Sequence, residues 1–144
     1  MNLQGALEAQ SGGVYRFRPA AMTPQVAQTA RRSVARVEAR NARDKLAFLN
    51  AVAGALRFPD WFGQNWDAFY DCLTERAADP GGDLVIVFDD VSGFARVEPE
   101  EFAAAADALR DAAEYWDERG RRLIVLVGIE EPLLATELPE LSAG

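Results

Sequence analysis

Apolar and polar positions alternate along the chain in two rhythms, and together they predict strands interleaved with helices. LVIVF over 84–88 and LIVLV over 123–127 are uninterrupted apolar runs, as expected for parallel strands buried on both faces. Between them, Phe102, Ala106, Leu109, Ala113 and Trp116 recur at helical spacing and predict one long helix over 98–118. Pro99 stands in its first turn and Gly120 marks its end. Upstream, Asp44 has the chemistry of an N-cap before an apolar stripe of Leu46, Phe48, Leu49, Val52, Ala53 and Leu56. Shorter period-two patterns predict two further strands. Tyr15 and Phe17 alternate with Arg16 and Arg18, and over 33–39 Ala35, Val37 and Ala39 alternate with Arg36 and Glu38. Thr23 and Pro24 signal a helix over 23–32. ADPGGD over 78–83 is a turn, residues 1–12 read as a loose leader, and 128–144 form a tail with no assignable element. This order implies a single α/β domain, 1–144, built on a parallel sheet with helical crossovers.

Residues 58–76, FPDWFGQNWDAFYDCLTER, carry most of the functional information. Pro59 helps stop the preceding helix, Gly63 supplies a permissive backbone, and Asn65 is a good N-cap for the next one. At about 100° per residue, with Asp67 as origin, Asp71 lies at about 40°, Thr74 at about −20° and Tyr70 at about −60°. Cys72, Phe69, Leu73 and Trp66 lie at about 140°, 200°, 240° and 260°. Acidic and apolar side chains therefore face opposite ways. Asp67 is in the first turn, where the helix dipole favours an anion. Asp71 lies four residues after Asp67 and four before Glu75, a like-charge spacing that costs a few tenths of a kcal/mol. From spacing alone such a stripe is most often a solvated face. The aromatic residues tilt the balance. Phe62, Trp66 and Phe69 are most simply core, but Trp61 and Tyr70 are too many to bury as well, and aromatics beside surface carboxylates are typical of binding hot spots.

Charge distribution points the same way. The net charge is −8, yet residues 1–58 hold nine Lys/Arg against three Asp/Glu, whereas 59–119 hold four against sixteen. An acidic block of net −12 repels nucleic acid and attracts a basic protein. The single cysteine, Cys72, excludes an internal disulfide and a thiol–metal cluster, and falls on the apolar helix face. No histidine is present, which removes the commonest general base and metal ligand. The N-terminal residues have neither the basic start nor the apolar run of a signal peptide, and no stretch has the length of a membrane helix. A cytoplasmic protein without catalytic residues, metal or cofactor is the expectation.

FPDWFGQNWDAFYDCL closely resembles the signature of the barstar family, inhibitors of secreted ribonucleases, with Pro59, Gly63, Asn65, Asp67, Ala68, Asp71, Cys72 and Leu73 in register. The resemblance extends over 33–127. It implies a barstar-like fold, a small three-stranded parallel sheet flanked by helices, to which the N-terminal strand and helix here add an edge strand. It also implies one-to-one binding of a basic ribonuclease or related toxin. The implied contacts are Asp71 in the phosphate site, Asp67 as a second acid, Trp61 in place of a stacking tyrosine, and Gly63, Asn65, Tyr70 and Thr74 around them. Trp61, Phe62 and Tyr70 depart from the family's usual aromatics. Arg76 stands where an aromatic is common, at the edge of the acidic face, and a further family acid aligns near Tyr115, beside Glu114 and Asp111.

Two other function classes fit parts of the pattern. Asp89 and Asp90 follow the LVIVF strand, where α/β sites form, and with Asp67 or Asp71 nearby would suit a Mg²⁺-dependent enzyme. No phosphate-cradling glycine loop accompanies them, and strand-end aspartates are more often turn and cap residues. A binding module for another basic protein would need the same acidic face as the inhibitor.

Overall fold

The computed structural model describes residues 12–18, 32–59, 62–78, 82–130 and 138–139. The expected helix over 23–32 apart from Arg32, which opens a strand instead, the leader to residue 11, most of the tail and Trp61 lie outside the described residues. The strands are β1 (Gly13–Phe17), β2 (Arg32–Val37), β3 (Asp83–Phe88) and β4 (Leu123–Gly128). They form one parallel sheet in the order β1–β4–β3–β2. The helices are α1 (Lys45–Leu56), α2 (Trp66–Glu75), α3 (Ser92–Val97) and α4 (Pro99–Asp117). The sheet thus has the three strands expected of the core plus the N-terminal strand at one edge. That strand pairs with β4, the strand farthest from it in sequence.

Alternation along the strands divides the core. Leu84, Ile86 and Phe88 of β3, with Leu123, Val125 and Val127 of β4, pack against all four helices. Val85, Val87, Ile124 and Leu126 form a second buried cluster with Phe17. The two central strands are therefore buried on both faces, as their unbroken apolar sequences require. Phe48 of α1 is the hub of the larger cluster. Its ring stacks on Phe94 at 4.7 Å and Phe88 at 5.3 Å, and meets Trp66 and Phe69 of α2 at 6.1 and 6.4 Å. Leu46, expected on the same stripe, is instead exposed: at about 100° per residue it is beside Leu49 but on the opposite side from Phe48, at the margin of the buried stripe.

The helix expected over 98–118 is α4, and a short helix that the sequence pattern did not show, α3, precedes it. Pro99 disfavours helical geometry at the residue before it, and Glu98 takes φ −133° and ψ 71°, closing α3 and opening α4. The side chain of Asp90 accepts from Ser92 N at 2.9 Å at the start of α3. Gly120 ends the α4 region with φ +71°.

At the outer edge of β1 the chain returns. Arg16 N donates to Pro139 O at 2.8 Å, Arg16 Nε donates to Leu138 O at 3.0 Å, and Leu138 is buried. At the other end of β4, Val91 N donates to Gly128 O at 2.8 Å. A Cβ on Gly128 would collide with the carbonyl carbon and oxygen of Asp89, main-chain atoms that cannot turn aside. Gly128→Ala is expected to destabilise the fold by about 1–3 kcal/mol, the usual range for overpacking. A urea midpoint equal to that of the unsubstituted protein would contradict this.

Candidate functional site

Asn65, the N-cap, takes extended φ and ψ, and its side chain accepts from Ala68 N at 2.8 Å. The chain reaches it through two tight turns, Phe62 N to Pro59 O at 2.9 Å and Asn65 N to Gly63 O at 2.7 Å. Gly63 is needed for room rather than for backbone freedom. Its φ is not in the left-handed region, but an added Cβ would stand 3.2 Å from Asn65 Nδ2 and press on the cap. Phe69, Cys72 and Leu73 are buried, and Phe62 and Trp66 are half-buried against the core.

Asp67 and Asp71 both lie on the exposed side of α2. Among the described residues, neither takes part in an ion pair. Arg76 does not intrude on them as its sequence position suggested. It is half-buried, and its guanidinium turns away to donate to Leu56 O at 2.6 Å. That carbonyl is at the C-terminal end of α1, where the helix dipole favours a cation. Thr74 also differs from the wheel, being buried with its hydroxyl donating to Tyr70 O and Asp71 O. The direction was right, but one turn after Tyr70 that flank of α2 faces α4.

A groove of about 550 Å³ runs between α2 and α4. Trp66, Asp67 and Tyr70 form one wall, and Asp107, Asp111, Glu114, Tyr115 and Glu118 line the other. Tyr70 and Tyr115 meet edge to face at 6.5 Å. The Arg119 guanidinium stacks 3.5 Å over Tyr115 at one end. Burial raises the pKa of the Tyr70 hydroxyl above its ordinary value of 10.0, and the charges of Asp111 and Glu118 add to the effect while Arg119 opposes it. The phenol stays neutral to higher pH, and the groove repels negative charge. Sequence reasoning singled out Asp111, Glu114 and Tyr115 but missed Asp107 and Glu118, whose spacing of four and three residues from Asp111 and Tyr115 on α4 was the available signal. Burial likewise pushes the Cys72 thiol up, followed by Glu75 and Asp71, which leaves it a protonated core side chain.

The Asp89–Asp90 pair has other work. Asp89 Oδ1 accepts from Ala39 N at 2.6 Å and Asp90 N at 2.7 Å, its Oδ2 lies 3.9 Å from Arg40 Nε, and Asp90 caps Ser92. These are turn and cap contacts.

The family model for Barstar (barnase inhibitor) matches residues 32–128. The chain belongs to the barstar family. The matched segment spans β2 to β4, with all of α1 to α4, while β1 and its clip at 138–139 lie outside it. A barnase-type inhibitor role, without catalysis and with a protein as partner, follows for the family in general. No curated protein matches the chain. Among the described residues no helix is long and apolar enough to cross a membrane.

Proposed function

We propose that this barstar-family protein blocks the active site of a basic ribonuclease, one to one, with the surface built from residues 61–74. Asp71 enters the phosphate-binding site and Asp67 pairs with a second cation of the enzyme. Trp61, Gly63, Asn65 and Tyr70 complete the contact, while Thr74, covered by its own chain, supports the helix from behind. The observation that carries the reading is the pair of exposed carboxylates, one turn apart on a capped helix and free of ion pairs among the described residues. Carboxylates held in this way imitate the phosphates of RNA, pair bidentately with arginine, and steer a cationic partner toward them. The acidic wall of α4 extends the same field, and it disfavours RNA itself as the ligand. Neutralisation of a toxic nuclease within the cytoplasm is the role that follows.

Titrating barnase with the purified protein tests the reading. RNA cleavage should fall linearly to zero at equimolar protein. Activity that persists under a large molar excess, for barnase and for other secreted basic ribonucleases, would leave the face without its proposed target.

A further inference from the structure

The carboxylates of α2 are useful only if the helix holds them in one direction, and both of its ends are tied to α4 through indole N–H groups. At the C-terminal end Trp116 Nε1 donates to Leu73 O at 3.0 Å. The guanidinium of Arg121 lies 4.5 Å from the Trp116 ring centroid and donates to the carbonyls of Arg76 and Ala77, holding the turn that follows α2. At the N-terminal end Trp66 Nε1 donates to Glu101 Oε2 at 2.8 Å. The same oxygen lies 4.0 Å from Lys45 Nζ, which is 5.8 Å from the Trp66 ring centroid. First turns of three helices thus converge on one carboxylate: Lys45 opens α1, Trp66 opens α2, and Glu101 is in the first turn of α4.

We infer that Glu101 is a positioning residue for the inhibitory surface: through Trp66 it fixes the N-terminal end of α2 and so the direction of Asp67 and Asp71. A half-buried indole N–H requires an acceptor, and an ionised one makes a bond about twice as strong as a neutral one. Glu101 lies in the first turn of α4, where the helix dipole favours an anion, and Lys45 Nζ stands beside it. Trp66 adjoins Asp67 in the chain, so an untied indole leaves the first turn of α2 held by its cap and by ring packing on Phe48, with no directional bond to α4. Binding then has to restore the lost order, at a cost in affinity.

The inference rests on the inhibitor reading, and its test separates the two. Dissociation from barnase is measured for the unsubstituted protein, Glu101→Ala and Glu101→Gln, together with hydrogen exchange at the Trp66 indole N–H and the Asp67–Tyr70 amides in the free proteins. Glu101→Ala is expected to dissociate roughly tenfold faster, the scale of a lost hydrogen bond to a charged group, and to exchange faster at those sites. Glu101→Gln keeps an acceptor and loses the charge, so it should restore dissociation and exchange in part, to values between those of Glu101→Ala and the unsubstituted protein. If both variants only associate more slowly, with dissociation unchanged, Glu101 acts through long-range charge and the inference is overturned. Unaltered exchange in free Glu101→Ala overturns it too. Should the unsubstituted protein fail to bind barnase at all, the inhibitor reading fails, while exchange in the free protein still decides whether Glu101 orders α2.

Discussion

Asp71→Ala is expected to weaken binding to a barnase-type ribonuclease by about 2–5 kcal/mol, a loss of roughly 30- to 5,000-fold, the range for removing one member of a charge pair buried at an interface. Most of that loss should be in the dissociation rate, because the partner's cations are left buried without a counter-charge. The free protein should respond in the opposite sense. Asp71 is exposed, and it follows Asp67 and precedes Glu75 by four residues each on the same helix. Alanine removes two like-charge repulsions and is the better helix former, so the unfolding midpoint should rise slightly as inhibition collapses. Inhibition titrations and urea unfolding on the same preparation give both signs. Undiminished affinity would show that Asp71 is not in the contact.

Phe48→Ala should produce the largest loss of stability, about 3–5 kcal/mol, as large-to-small replacements of buried phenylalanines do. Phe48 is 1% exposed and touches aromatic rings from α2, β3 and α3. The vacated volume lies between elements that cannot all close on it at once, which places the substitution at the costly end of such changes. Against a typical net stability of about 5–15 kcal/mol, the variant should unfold at markedly lower urea concentration. A midpoint shift no larger than that of an exposed substitution such as Leu46→Ala would contradict the packing described.

Much of this architecture was legible because its determinants are local. Asp44 and Asn65 announce the starts of α1 and α2 by the chemistry of a short acceptor before a helical stripe, and both accept the expected backbone N–H. LVIVF and LIVLV leave little choice but strands buried on two sides. Features that escaped the sequence depend on what lies across space. A helical wheel gives Thr74 a direction but not the neighbour it meets. Arg76 has an arm long enough to serve the acidic face or the end of α1, and only the tertiary structure shows that it takes Leu56 O. Glu101 and Trp66 are 35 residues apart, with no spacing rule to join them. The short α3 hides because Gly93 and Arg96 dilute its apolar pattern, whereas Pro99 marks the start of α4 in sequence and structure alike.

The contact of Leu138 and Pro139 with Arg16 reaches beyond the sheet it closes. An unguarded outer strand is a template on which another chain can add itself. A shortened chain lacking those two residues would leave β1 open to such pairing, so self-association in truncated versions would be a property of the cut rather than of the fold.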